Sequence, residues 1–184
     1  MTDAAPSTPT ATIRPEHPED AEAIAAVVEA AFGSPAEARL VEAIRASPEY
    51  LPDLALVAED GGRIVGHVMI SRATLLDGAT ERSIVMLSPL AVAPDVQRGG
   101  IGSALVRAAV RGADHRGEPF VVLEGSPAYY GRLGFEPAAD HGITLPIPSW
   151  APPDAAQLTR LAADDPSWRG RVVYPPSFDP FVEG

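Results

Sequence analysis

Apolar residues recur at helical spacing early in the chain: Ala21, Ile24, Ala25, Val28, Ala31 and Phe32 fall on one face of a helix that begins near Pro18. Glu19, Asp20 and Glu22 crowd its first turn, where negative charge suits the helix dipole, and Gly33 ends the run. Ser34-Pro35-Ala36-Glu37 then reads as a capping box with proline at the first helical position. A second helix follows to about Arg45, with Leu40, Val41 and Ile44 inward, and Ser47-Pro48 closes it. Ahead of both helices, Ala11 to Arg14 is a short candidate strand stopped by Pro15, and Met1 to Thr10 reads as a disordered tail.

The pattern then changes to strands. Leu54 to Ala58 and Arg63 to Leu75 flank Glu59-Asp60-Gly61-Gly62, a hairpin turn signal, and Asp77-Gly78 marks a second turn before a third strand, Ser83 to Val92. Strands joined by turns this short must pair antiparallel. Beyond residue 93 strand and helix alternate. Ile101, Ala104, Leu105, Ala108 and Ala109 give a helical face that stops around His115-Arg116-Gly117, and Phe120 to Leu123 suits a buried strand. Ser126-Pro127 caps a short helix reaching Leu133, with Gly134 as its stop. In the Pro-rich remainder, Ala155 to Ala162 and Arg171 to Tyr174 are candidate strands, ended by Pro175-Pro176. No internal repeat or linker divides the pattern, so residues 11–184 are expected to form a single mixed α/β domain that includes the Pro-rich segment 136–184.

Composition narrows the chemistry. The 184 residues contain no cysteine, which excludes disulfides, thiolate metal sites and a protein thioester intermediate. His17, His67, His115 and His141 are scattered, with no pair at ligand spacing, so no metal is expected. All 14 basic residues are arginine, and the net charge of −11 supplies no basic face for nucleic acid. No apolar run approaches the roughly 18 residues of a membrane span, and no secretory signal opens the chain, so a cytoplasmic protein is expected.

The informative segment is Pro89-Leu-Ala-Val-Ala-Pro-Asp-Val-Gln-Arg-Gly-Gly-Ile-Gly-Ser-Ala-Leu105, a strand running through a glycine-rich turn into an amphipathic helix. Unpaired backbone N–H groups and the positive end of the helix dipole then converge on one point, and glycines let an anion come close. This predicts a phosphate or pyrophosphate site. A nucleotide P-loop needs Lys-Ser/Thr after its last glycine, and here Gly102 is followed by Ser103-Ala104. A dinucleotide fingerprint needs a third glycine where Leu105 stands.

Gln97, Gly100 and Gly102 match (Gln/Arg)-x-x-Gly-x-(Gly/Ala), and with them the chain resembles the GNAT superfamily of N-acetyltransferases. Leu90-Ala-Val-Ala-Pro94 resembles the family's strand before this loop, and Tyr130-Gly-Arg-Leu-Gly-Phe135 its later Tyr-x-x-x-Gly-Phe signature. Ala155-Ala-Gln-Leu and Gly170-Arg-Val-Val-Tyr-Pro resemble the C-terminal part of a bacterial subgroup.

The resemblance implies a mostly antiparallel central sheet with a splayed parallel strand pair and about four flanking helices. It implies acetyl-CoA as co-substrate, bound at the motif that Gln97 opens, with its pyrophosphate on the backbone amides of Arg98, Gly99, Gly100, Ile101, Gly102 and Ser103, and its pantetheine paired with Leu90, Ala91 and Val92 like an added strand. The Leu90 amide would polarise the thioester carbonyl, and Tyr130 would protonate the departing thiolate, with Tyr129 the competing phenol. Glu124, at a strand end beside the implied gap, is the candidate base; Glu81 and His67 are alternatives. The reading is then acetyl transfer to a primary amine of a small molecule or peptide through a ternary complex. A non-catalytic acyl-CoA-binding protein of the same fold is the alternative. The acidic surface, with Glu37, Glu42 and Asp53 on or beside the second helix, favours a cationic acceptor, and a homodimer is compatible with the sequence.

Overall fold

The computed structural model describes residues 11–181, so the expected tail at Met1 to Thr10 lies outside the described residues. In chain order the elements are β1 (Thr12–Pro15), α1 (Ala21–Phe32), α2 (Ala36–Arg45), β2 (Ala55–Asp60), β3 (Arg63–Asp77), β4 (Thr80–Val92), α3 (Ile101–His115), β5 (Phe120–Glu124), α4 (Pro127–Tyr130), β6 (Glu136–Pro137), β7 (Ile143–Thr144), β8 (Ala156–Arg160) and β9 (Gly170–Val173). Gly-containing turns fold β2, β3 and β4 into the expected antiparallel meander, and the nine strands form one sheet in the order β1-β2-β3-β4-β5-β8-β6. β9 lies antiparallel to β3 at Thr74–Leu76, and β7 pairs with it. Parallel pairing occurs at β4–β5 and β7–β9; the other ladders are antiparallel. The mixed α/β class expected from the sequence is thus the observed one.

The sheet separates two apolar layers. On one face α1 and α2 bury Ile24, Val28, Val41 and Ile44 against Met69, Leu75, Met86 and Val122. On the other, α3 buries Leu105, Val106 and Ala109 against Val68, Ile70, Val85 and Val121. The alternation of neighbours such as Val121 and Val122 between the two layers is the period of a strand covered on both sides.

Several local expectations need correction. On α1 the inward stripe is Ile24, Val27 and Val28, whereas Phe32 stands 44% exposed at the last turn. The capping box is not made: α2 has Pro35 as its N-cap with no side-chain cap bond, Ser34 Oγ accepts from Ala36 N at 3.1 Å instead, and Glu37 Oε2 is buried without a partner among the described residues. On α3 the inward residues are Leu105, Val106 and Ala109 rather than Ala104 and Ala108, which sit at the stripe's margins. Leu54 belongs to a 3-10 turn preceding β2.

A buried polar cluster ties β1, α2 and β3 together. The Glu16 carboxylate accepts from Arg45 Nε at 2.8 Å and Tyr50 Oη at 2.8 Å, and its other oxygen lies 2.8 Å from His67 Nε2. Burial alone would raise the Glu16 pKa, but the hydrogen bonds from His67, Arg45 and Tyr50 outweigh it and hold the carboxyl at about 2. A depressed folded pKa contributes stability that is complete above the unfolded value of about 4.5 and is lost as pH falls toward about 2. Equilibrium unfolding measured across that window should therefore show stability falling with pH by about 3 kcal/mol from this group. A Glu16→Gln protein should start less stable and lose that part of the slope; an unchanged slope would place the acid sensitivity elsewhere.

Candidate active site

β4 and β5 run parallel but touch only briefly. Their ladder holds Val85 against Val121 and Met86 against Val122 and then stops. The cause lies on the other edge of β4: Val68 faces Leu90 and Ile70 faces Leu87, so Ser88 and Pro89 together oppose Met69. A bulge of this kind bends the strand that carries it. From Leu87 onward β4 therefore leaves β5, and a gap opens at the carboxyl ends of two adjacent parallel strands, a common place for ligands in α/β sheets.

The direction of the free backbone groups follows from the ladder. Ala93 N donates to Val65 O at 2.8 Å, so Ala93 points toward β3. Backbone groups alternate along an extended strand, which aims the N–H and C=O of Leu90 and Val92 the other way, into the gap. The Val92 carbonyl is used there by Gln97 Nε2 at 3.0 Å. Gln97 thus braces the loop to the end of β4.

Beyond β4, Pro94–Val96 form one 3-10 turn and the chain enters α3 through Gly100 at φ 86°, a left-handed conformation that side chains with a Cβ resist. Arg98 also has a positive φ, 66°. Left-handed residues on either side of Gly99 bend the loop so that its N–H groups face the positive end of the 15-residue α3. Gly102 is needed for a different reason: a Cβ there would stand 2.6 Å from Tyr129 Oη.

A cleft of about 740 Å³ follows this arrangement. Leu90, Ala91 and Val92 form its strand wall, and Gln97, Arg98, Gly100, Ile101, Gly102 and Ser103 its floor. Of the expected binding residues, Gly99 and Tyr130 are absent from this lining. Residues not anticipated complete it: Phe32 at the end of α1, Arg107 on α3, and Tyr129, Arg132 and Leu133 after β5. Arg107 lies one helical turn after Ser103, on the same face of α3, and so lines the cleft as well. Arg98, Arg107 and Arg132 have no carboxylate partner among the described residues, in a chain with 25 acidic and 14 basic side chains. Arg39, Arg111, Arg169 and Arg171 also lack such a partner among the described residues, but Arg98, Arg107 and Arg132 converge on one cleft, where their charge suits an anion. A second concavity, of about 810 Å³ beside α1, differs in this respect: its Arg14 is paired with Asp20 and Glu59, and its Arg63 with Asp95.

The two tyrosines divide. Tyr129 lines the cleft, its ring 6.0 Å from the Arg132 guanidinium carbon. Tyr130 lies beneath it with centroids 4.9 Å apart, packed edge-on against Phe135, and a Cβ on Gly125 would come within 2.3 Å of its ring. Burial, and then Tyr129, push the Tyr130 phenol up to about 12, so it stays protonated at ordinary pH.

Glu124 ends β5 two residues beyond the last parallel pair. Leu123 joins the α3 layer, and alternation turns Glu124 to the α1–α2 face. Tyr130 and Glu124 therefore lie on opposite faces of the sheet, and neither lines the cleft. The Glu124 carboxyl accepts a hydrogen bond from Tyr174, and burial raises its pKa against the lowering effect of that bond. The alternative bases are poorly placed. Glu81 lies opposite Leu76 at the far end of β4, and His67 is fully buried with its Nε2 turned to Glu16. Among the described residues no group of three or more His, Asp or Glu could hold a metal ion, and no helix is long and apolar enough to cross a membrane.

Residues 12–138 match the family model described as an acetyltransferase (GNAT) domain. The chain is 37% identical over 130 residues to the uncharacterised N-acetyltransferase YjhQ of Escherichia coli K12, covering 70% of this chain and 72% of the relative. Over 153 residues it is 35% identical to the uncharacterised N-acetyltransferase YhbS of the same organism, covering 83% and 88%. The crystal structure of E. coli YhbS in complex with CoA superposes with a TM-score of 0.84 at 34% identity, over 99% of this chain and 97% of that one. A Brucella melitensis GNAT family acetyltransferase in complex with acetyl-CoA gives 0.74 at 30% identity, over 92% and 98%. The glycine-bent loop, the open edge of β4 and these likenesses together make the chain a member of the GNAT acetyltransferase superfamily.

Proposed function

We propose that this protein transfers the acetyl group of acetyl-CoA to a primary amine by direct attack within a ternary complex. The observation that carries the reading is the open edge of β4, with the Leu90 and Val92 amides turned into a gap that leads straight to the glycine-rich mouth of α3. A thioester on a pantetheine arm is a long, narrow, polar chain with an anionic end, and this is a slot of matching form. The loop amides from Arg98 to Ser103 would hold the pyrophosphate. Arg98, Arg107 and Arg132 bring three positive charges to a ligand that also carries a third phosphate.

The pantetheine amides pair with Leu90 and Val92 as a further strand would, and the Leu90 N–H donates to the thioester carbonyl oxygen. The amine nitrogen attacks the carbonyl carbon while negative charge gathers on that oxygen. The C–N bond forms, the C–S bond breaks, the sulfur takes the Tyr130 proton, and the nitrogen gives its surplus proton to Glu124. The products are an amide and CoA thiol, and proton exchange with water restores both side chains. No covalent acyl-enzyme is required, which agrees with a chain that has no cysteine.

The acceptor is proposed to be cationic, on narrower grounds than overall charge. Glu42 is bound to Arg45 and Asp53 to Arg116, so neither projects an unbalanced charge, but Glu37 and Glu124 have no cationic partner among the described residues. Incubation with acetyl-CoA and a panel of polyamines, amino acids, aminoglycosides and peptides, read as release of free CoA thiol, tests the activity. Turnover is expected with at least one cationic amine; tight acetyl-CoA binding without thiol release on any acceptor would leave a binding protein instead. With the best acceptor, kcat/KM should fall as salt rises toward physiological strength, where the Debye length is about 8 Å. A flat salt dependence, or a best acceptor of net negative charge, would remove the cationic preference.

A further inference from the structure

The family model ends at residue 138, and the segment beyond it brings a side chain onto Glu124 that the family model does not cover. We propose that Tyr174 is a positioning residue that orients the Glu124 carboxylate toward the acceptor amine, so that the C-terminal segment completes the acceptor half of the site. The inference rests on the reading of Glu124 as the base.

Three observations carry it. Tyr174 follows β9, whose antiparallel pairing of Val173 with Thr74 and Val172 with Leu75 anchors the segment to β3. Its ring is held 5.5 Å from that of Phe178, which is buried in the α1–α2 layer. From there the phenol donates to Glu124 Oε1, across 50 residues of sequence. Glutamate at the end of a strand otherwise turns freely about its side-chain bonds. Binding one oxygen to a fixed phenol restricts that rotation and leaves Oε2 without a side-chain partner among the described residues. The strand end is fixed from the other side as well, since Gln157 Nε2 donates to Gly125 O at 3.0 Å.

The charges around the pair are few. Among the described residues, Tyr174 is the sole side chain whose interaction shifts Glu124; no arginine, histidine or second carboxylate from β4, β8 or the segment after β9 does so. Burial, and then the bond to Glu124, raise the Tyr174 phenol far above its usual range, so it remains a donor wherever the enzyme works. Burial pushes the carboxyl up and the phenol draws it back down. Loss of the phenol therefore raises the Glu124 pKa.

The test is Tyr174→Phe, which keeps the ring against Phe178. The acid limb of kcat/KM for the acceptor should move to higher pH, and kcat should fall about tenfold, a part of what a general base supplies. Affinity for acetyl-CoA and Tm should stay the same. The carboxyl pKa of Glu124, followed by isotope-edited infrared spectroscopy without acetyl-CoA, should rise in the variant and gives a readout independent of turnover. An unmoved limb and an unmoved carboxyl pKa, in a protein that Glu124→Gln inactivates, overturn the role of Tyr174 alone. Full activity in Glu124→Gln overturns the base reading and the inference with it.

Discussion

Gly100→Val is expected to weaken CoA binding by a factor of at least about 100 while leaving a folded protein, because the loop geometry and the anion site are the same feature. Gly100 sits at φ 86°, and an L-residue in that region costs roughly 1–2 kcal/mol, more for a β-branched side chain. A domain with the usual margin of about 5–15 kcal/mol absorbs that loss. The relaxation that relieves it is the damaging part: rotation of Gly100 toward negative φ swings the amides on either side and spoils their convergence at the mouth of α3. Gly99 provides the contrast. It has no positive φ, and a Cβ there would meet Val96 O at 3.3 Å, so Gly99→Ala should be much milder. Calorimetric titration with CoA reads the effect directly. In wild type, CoA at 100 times its Kd should stabilise the protein by about 2.7 kcal/mol through mass action, and the variant should lose that rise. A folded Gly100→Val protein with wild-type affinity would show that the pyrophosphate binds elsewhere.

What could be read from the sequence was whatever is local. The run Gln97-Arg98-Gly99-Gly100-Ile101-Gly102 sits where strand becomes helix, and the turn chemistry and helix start are within a few residues of each other. Asp60-Gly61-Gly62 and Asp77-Gly78 marked the meander for the same reason. Periodicity failed at the edges of elements: Phe32 continues the apolar stripe of α1 in the sequence, yet it is largely exposed and lines the cleft. β6 and β7 have two residues each, too few for any period. The missed site residues share a cause. Tyr174 reaches Glu124 across 50 positions, and Gly125 is small because the Tyr130 ring covers it, neither of which leaves a mark in neighbouring residues. Arg107 was legible in principle, since it lies four residues after Ser103 and hence on the same helix face. A carboxylate count could have helped too, because it shows which elements leave an arginine unmatched.

Tyr130→Phe should lower kcat by about 10²-fold or more and leave acetyl-CoA affinity nearly unchanged, the pattern of a group that acts on the departing sulfur and not on the bound substrate. Phenylalanine keeps the contacts to Phe135 and to the bare backbone of Gly125, so Tm should hold. The chemistry asked of the phenol is demanding. Burial pushes it up to about 12, whereas the thiol it creates titrates near about 8.5, so complete proton transfer before the C–S bond breaks would run uphill. The transfer must accompany cleavage, as charge reaches a sulfur held away from water, where burial raises the basicity of the thiolate as it raises that of the phenol. A consequence is that no limb of the pH profile below about 11 should belong to Tyr130, and the limb present at lower pH should survive in Tyr130→Phe, scaled down but not moved. Tyr129 supplies the control. Its hydroxyl lies over Gly102 and its ring lines the cleft, so Tyr129→Phe should act chiefly on CoA affinity. Should Tyr129→Phe abolish kcat while Tyr130→Phe turns over normally, the acid would be the phenol on the cleft surface, and Tyr130 would be left with the packing of Gly125 and Phe135 as its whole role.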